Sequence, residues 1–359
     1  MEIFIILTLI LSSIFIISKR NNYIQYIQLI IIISLFFSIT LGIKYTADWN
    51  AYELLYNDAN PKIDFGYAYL SKLFKEFGLK FHHLYQFHII LSTLFLLNFI
   101  KKFSNNIFLI FVFFSFICFI PFINQIRYFL SLTIFFNACY YFYIKRNKSL
   151  SIFLFVISFI CHSSIVLLLL FLVINRFITI KKYLITCLLI CIGLGIFSSL
   201  LDFISSFTFF SKYLYYLKTE NVSSILGGIY NVLPYCIVIT YVILKSKKDV
   251  KKYPELLNDD RYKLLYKMSI YSIIFILISL NFQIIAHRYV IPFSFIWICL
   301  YLYPYQFANK RVTYIKKGLN SIVILLFLVF YTYNLSEYVL KKESNVLIEF
   351  NKSIESIKY

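Results

Sequence analysis

Charged side chains are what this sequence has least of. They make up 14% of its 359 residues, and only 16 are Asp or Glu, whereas a soluble domain carries about 25% charged residues. That deficit excludes an ordinary water-soluble fold. Also missing are a glycine-rich phosphate loop and any HExxH, GxSxG or Walker pattern, which removes the sequence basis for P-loop nucleotide chemistry, a zinc protease or a serine hydrolase of the nucleophile-elbow type. No soluble domain, linker or internal repeat interrupts the chain. The first apolar stretch, Met1 to Ile17, has Glu2 in front of it and Lys19-Arg20 behind it, the reverse of a cleaved signal peptide. It is expected to be retained with its amino end outside.

What the chain has instead is apolar and aromatic mass: 61% hydrophobic residues, with 41 Phe and 32 Tyr. Runs such as Ile24 to Ile43 reach the roughly 20 apolar residues needed to cross about 30 Å of hydrocarbon. Hydropathy places spans near 2–18, 24–43, 85–100, 106–123, 126–144, 183–201, 229–244, 268–286, 289–306 and 318–335. The expected fold is an all-α polytopic membrane protein of about ten transmembrane helices, forming one transmembrane domain over 1–359.

The net charge of +19 is topology rather than nucleic-acid binding, because Lys and Arg cluster in short stretches between apolar runs. The seven cysteines all lie inside those runs, where Cys behaves as a small buried hydrophobe, and Cys187/Cys191 is an i, i+4 pair. Between Ser149 and Ile174 the apolar run is broken midway by Cys161-His162-Ser163-Ser164. One long crossing would leave about 20 Lys and Arg outside and about 13 inside, whereas a re-entrant hairpin around His162 puts about 22 inside and about 11 outside. The positive-inside rule selects the hairpin. Its legs of about 13 residues reach about 20 Å at 1.5 Å per residue, so a polar apex lies within the membrane, where only protein or a water-filled cavity satisfies broken backbone. The same topology puts loops 44–84 and 202–228 outside, with amphipathic helices at the interface, and the basic loop 245–267 in the cytoplasm.

An ionisable group in a span costs at least about 2.5 kcal/mol on insertion scales, so each needs a reason. Arg127, beside Asn124 and Gln125 at the mouth of a span, offers a permanent charge and a fork of donors suited to phosphate; its bland alternative is snorkelling to headgroups. His162 has an intrinsic pKa near neutrality and suits a general base or a hydrogen-bonding group; its alternative is a structural His bonded to Ser163, Ser164 or a carbonyl. Arg288, with His287 and Tyr289, lies between two spans. One topology brings Arg127, His162 and Arg288 to the same outer half. His82, His83 and His88 lack the spacing and companions of a metal site, so neither metal nor cofactor is expected.

With these residues in view, the chain resembles the EpsG family, related to the Wzy-type polymerases of O-antigen, capsule and exopolysaccharide. YTADWNAYELLY (Tyr45 to Tyr56) is similar to the family's Gly-Thr-Asp-Tyr element, with Asp48 followed by Tyr52, and FGYAYLSKLFKEFG (Phe65 to Gly78) to its aromatic helix. NQIRYFLSL (Asn124 to Leu132) resembles the Asn-Gln-x-Arg element, FICHSSIVLLLL (Phe159 to Leu170) the Phe-x-His-x-Ser element, and AHRYVIPF (Ala286 to Phe293) a late Arg-Tyr element. Ala47, Trp49 and Cys161 depart from the pattern.

The resemblance implies a metal-independent glycosyltransferase in the bacterial cytoplasmic membrane, joining undecaprenyl-diphosphate-linked oligosaccharide repeat units on the outer face. Arg127 and Arg288 then bind pyrophosphate, and His162 handles the acceptor hydroxyl or the phosphate. Asp48, Tyr52, Asn124, Gln125 and Ser163 meet the substrate, with Asp48 the alternative base. Membrane lipids, a flippase and a chain-length regulator are the implied partners, and nucleic acid is not one. The rival readings are a transporter of lipid-linked oligosaccharide, a membrane acyltransferase acting on the sugar, and a non-enzymatic assembly partner of a polysaccharide-synthesis complex.

Overall fold

The computed structural model describes residues 22–58, 64–104, 107–178, 225–279 and 286–304, with further positions within 182–189, 320–328 and 352–356. Every regular element among the described residues is helical. In chain order they are α1 (Asn22–Gly42), α2 (Trp49–Asp58), α3 (Phe65–Glu76), α4 (Phe81–Phe103), α5 (Ile107–Ile117), α6 (Phe119–Asn124), α7 (Ile126–Tyr143), α8 (Lys148–Cys161), α9 (Val166–Phe177), α10 (Ile225–Lys252), α11 (Asp260–Ile278) and α12 (Ile291–Leu302). The span expected at 2–18, most of those at 183–201 and 318–335, Cys191, and most of loop 202–228 lie outside the described residues.

Apolar side chains cover the helices on all sides, which sorts them by position. α5 and α12 are buried almost throughout, as is α7 from Tyr128 to Tyr140. They form the centre, locked by Phe114, Phe122, Phe129, Phe136 and Phe295 meeting edge to face, the arrangement aromatic quadrupoles favour. Peripheral helices bury one face and expose a large apolar stripe on the other. On α1 the stripe is Tyr26, Ile27, Ile30 and Ile31; on α8 it is Ile152, Phe153, Val156 and Phe159; on α10 it is Ile229, Leu233, Ile237 and Leu244. Contiguous exposed hydrophobic surface of this kind is tolerated against lipid, not water.

α4 is long and apolar enough to cross a membrane by length and composition, and α5, α8, the apex-plus-α9 segment and α12 are shorter apolar helices. The ten-span count therefore rests on the sequence. Two boundaries differ from hydropathy. The run 106–123 is two helices, broken at Cys118 (φ −97°, ψ 1°), because Pro121 has no N–H to return to the carbonyl four residues back. The span expected at 268–286 starts earlier and ends earlier, at Asp260 and Ile278, since the charged residues that hydropathy discards are helical too.

The His162 segment turns back on itself. α8 starts on an Asn147 cap, whose Oδ1 accepts from the Leu150 N–H, and ends where His162 becomes extended (φ −158°, ψ 117°). One 3-10 turn, Ser163–Ile165, then leads into α9. α8 climbs beside α7 on small residues. The Ser131 and Ser158 hydroxyls reciprocally donate to each other's carbonyls, and the Ser151 hydroxyl donates to Ala138 O at 3.2 Å, the close approach that small residues allow between helices in lipid. α9 descends again, for the Tyr143 hydroxyl at the far end of α7 donates to Leu172 O at 3.0 Å. Legs of 14 and 12 residues thus return to the end from which they left.

The segment between α1 and α4 folds as two amphipathic helices laid across the other end of the bundle. Trp49 of α2 packs on Phe81 and Tyr85 of α4, with ring centroids 4.8 and 5.0 Å away, and the Tyr56 hydroxyl donates to Leu79 O at 2.6 Å. α3 ends at Gly78, whose φ of +68° is the left-handed conformation glycine adopts at helix ends. At the other end of α3, Gly66 lies against the hairpin: a Cβ there would stand 2.8 Å from Ile160 O. Only glycine permits that approach.

Candidate active site

Where α3 meets the hairpin, the structure assembles the residues that the sequence singles out. Arg127 is delivered by the break between α6 and α7, where Gln125 (φ −111°, ψ 51°) leaves helical geometry and α7 starts anew. Its Nη1 donates to Asp64 Oδ2 at 2.7 Å. Its guanidinium also stands over two rings of the outer-loop helices, Tyr52 at 4.7 Å and Tyr67 at 5.1 Å. Those rings hold the plane of the cation while the carboxylate holds its edge. Tyr67 is fixed in turn by donating to Tyr52 O at 2.9 Å.

Asp64 is the centre of the cluster, and the sequence reading did not single it out. It is the residue before α3, and its side chain is 1% exposed, so a charge there requires partners. Oδ2 faces Arg127 and lies 3.5 Å from His162 Nδ1, while Oδ1 accepts the Ser163 backbone N–H at 3.2 Å. Burial alone would raise the Asp64 pKa. The neighbouring His162 imidazole, the charge of Arg127 and the Ser163 N–H outweigh it and hold the carboxyl below its ordinary value. Asp64 therefore stays anionic.

The second arginine is positioned from the other side. Arg288 lies in a single π turn, Ala286–Val290, a geometry frequent at functional sites. Its neighbour Tyr289 donates to Ser164 O at 2.8 Å and stacks on Phe275 at 4.4 Å, which ties that turn to the hairpin apex. Tyr128 fills the space between, its ring 5.7 Å from His162 and 5.6 Å from Tyr289. The charge of Arg288 reaches Asp48, where burial raises the carboxyl pKa and Arg288 and then Arg127 only partly offset it. The two acids thus depart in opposite directions from one ordinary value.

Arg127, His162, Ser163, Arg288, Asp48 and Tyr52 accordingly share one end of the bundle. Ser163 takes part through its backbone N–H rather than its hydroxyl. Asn124 is buried beside them and Gln125 half-buried, on the segment leading to Arg127. Several polar atoms here are buried and make no hydrogen bond: Gln125 Oε1, Arg127 Nε, the Tyr128 hydroxyl and Ser164 Oγ. Such atoms are costly to leave unmet, so their grouping marks a place where a polar ligand would be satisfied. Three of the four other histidines are on α4, where the His88 ring lies 5.7 Å from that of Tyr67. His82 faces Gln86, His83 Nδ1 accepts the Lys80 N–H, and His88 bonds Leu84 O.

Besides Asp64, the sequence reading did not assign Tyr67 or Tyr128 to the site, and it named Tyr289 only as the companion of Arg288. Asp64 carried a signal: an acid placed directly before an amphipathic aromatic helix. Tyr67 and Tyr128 carried none, being two among 32 tyrosines.

No curated protein and no solved structure matches the chain. The model of the EpsG family matches residues 26–346, most of the chain. On that match, and with lipid-type apolar faces around a charged cluster, the chain belongs to the EpsG family and is a membrane protein of polysaccharide biosynthesis.

Proposed function

We propose that the protein is a polysaccharide polymerase, a multi-pass membrane glycosyltransferase of about ten spans. It extends a glycan carried on undecaprenyl diphosphate at the outer face of the bacterial cytoplasmic membrane. The observation that carries this reading is the meeting of Arg127, Asp64 and His162 at the hairpin apex, at the end of the bundle opposite the basic loop 245–267. Two arginines beside a histidine are what transfer from a glycosyl diphosphate requires.

In this mechanism the growing glycan is held through its diphosphate by Arg127 and Arg288. A hydroxyl of the incoming repeat unit attacks the anomeric carbon. The bond from that carbon to the diphosphate oxygen breaks, and undecaprenyl diphosphate leaves with the electron pair. His162 takes the hydroxyl proton on Nε2, since Nδ1 faces Asp64. The arginines stabilise the charge that develops on the leaving oxygen. Asn124, Gln125 and Tyr52 supply polar and aromatic contacts to the sugars, with Asp48 at their edge.

The test is the product distribution when purified protein in lipid receives a lipid-linked repeat unit. A ladder of multiples with the native protein, lost with Arg127→Ala at equal folded amount, is the expected result. Unreacted substrate from the native protein across several repeat units would overturn the reading in favour of transport or assembly.

A further inference from the structure

One carboxylate oxygen at the apex faces two partners and reaches hydrogen-bond distance of only one. Asp64 Oδ2 lies 2.7 Å from Arg127 Nη1 but 3.5 Å from His162 Nδ1. The first is a charge-assisted hydrogen bond; the second is longer than a hydrogen bond. Oδ1 is anchored separately by the Ser163 N–H, so Asp64 has a pivot and a free choice for its other oxygen. Arg127 is the group that an arriving diphosphate needs, and Asp64 already holds it.

We propose that Asp64 is an exchangeable placeholder: a polyprenyl diphosphate takes Arg127 from it, and the released Oδ2 closes onto His162 Nδ1. The inference rests on the polymerase reading and adds a positioning residue to it. Anion binding is thereby coupled to the histidine. Before substrate arrives, Arg127 is neutralised and His162 lacks its orienting partner. Once diphosphate is seated, Asp64 holds the imidazole as the tautomer with Nδ1–H, leaving Nε2 free for the acceptor proton. No bond forms or breaks in this step except hydrogen bonds. The geometry makes it short, because both partners already flank the same oxygen and the Ser163 anchor need not move.

A placeholder and a purely structural aspartate predict opposite signs. If Asp64 competes with the diphosphate, the clasped state lowers apparent affinity by its population, and a tenfold excess of that state weakens binding about tenfold. Asp64→Asn, which keeps an acceptor for the Ser163 N–H but removes the competing charge, should then bind undecaprenyl diphosphate about tenfold more tightly than the native protein in lipid nanodiscs. Its polymerisation rate should nevertheless fall, because His162 loses its anionic partner. Arg127→Ala should bind the same probe more weakly. In the native protein, where folding of a variant is not at issue, adding undecaprenyl diphosphate should shift the Nδ1 proton of ¹⁵N-labelled His162 downfield as the bond to Asp64 shortens.

Weaker or unchanged binding by Asp64→Asn, alongside weaker binding by Arg127→Ala, overturns the placeholder and leaves the polymerase reading standing. An unmoved His162 resonance on saturation does the same. Native binding that Arg127→Ala does not weaken overturns the placeholder and the assignment of Arg127 to the diphosphate, while the polymerase reading falls only if the native protein makes no product ladder.

Discussion

The two ends of this helical bundle each bring cations into an apolar setting, and while Lys245 pairs with the buried Asp249 at 3.1 Å, Lys267 and Lys102 at the far end are satisfied differently from Arg127 at the apex. At the end away from the hairpin apex, the half-buried Lys267 donates to the carbonyls of Asn175 and Ile178 at 3.1 and 3.0 Å. They lie at the C-terminal end of α9, Asn175 in its last turn and Ile178 just beyond it, where a cation also suits the helix dipole. Lys102 donates to Asn137 Oδ1 at 2.7 Å and stands over the Tyr140 and Tyr141 rings. Both lysines are held by neutral groups that belong to the fold itself. At the apex end, Arg127 is held by a carboxylate, and the charge of Arg288 acts on another. A neutral carbonyl at a helix end has no soluble competitor, so the first kind of contact fastens. A carboxylate occupies the place of an anion, so the second kind can be exchanged.

The comparison breaks most visibly if both ends answer substitution alike. His162→Ala is expected to reduce polymerised product per folded molecule by about a hundredfold or more, the usual worth of a positioned base. Lys267→Met should leave that turnover intact and cost about 1 to 3 kcal/mol of stability through its lost charged hydrogen bonds. Product ladders normalised to folded protein, with thermal unfolding in detergent, separate the two; loss of turnover with Lys267→Met would refute the division. Gly66→Ala sharpens it, because an added Cβ stands 2.8 Å from Ile160 O. It should cost about 1 to 3 kcal/mol and, unlike the lysine change, lower the product made per folded molecule, because displacing α3 takes Asp64 away from His162.

The smallest effect is a matter of order. Asp48 lies above and Asp64 below the ordinary value of 3.8. Asp64 therefore contributes stability that is complete above about 3.9, its unfolded value, and is lost only as pH falls through its lower folded value. Asp48 does the reverse: its charge opposes folding at neutral pH, and that cost disappears as pH falls through its raised value. Carboxyl ¹³C resonances of Asp-labelled protein should show Asp48 protonating first, with Asp48→Asn deleting the higher step.

Much of this arrangement is visible in the sequence, for reasons that also mark where visibility ends. The break at His162 shows because polar Cys-His-Ser-Ser interrupts an apolar run, and the return of the hairpin follows from where lysines and arginines fall. Arg127 and Arg288 stand out because a charge near a span is rare. The break at Cys118 is hidden, since Phe and Ile flank it on both sides and hydropathy cannot register a change of direction. The start of α11 is misplaced because Lys267 reads as loop charge when it is a helical residue reaching the end of α9. Asp64 is hidden most deeply. Its place before the aromatic helix is visible, but its meaning comes from Arg127, 63 residues away, and Ser163, 99 residues away, which the packing of α3 on the hairpin, with Gly66 against Ile160, brings to it.

The short legs of the hairpin have a kinetic consequence. Fourteen residues of α8 rise about 21 Å at 1.5 Å per residue, less than the roughly 30 Å of hydrocarbon. On the polymerase reading proposed above, a reacting centre at that apex lies below the outer headgroups, and a donor tethered in the leaflet would meet it by sliding in the plane of the membrane, so that the supply governing elongation would be counted per area of membrane rather than per volume of cell.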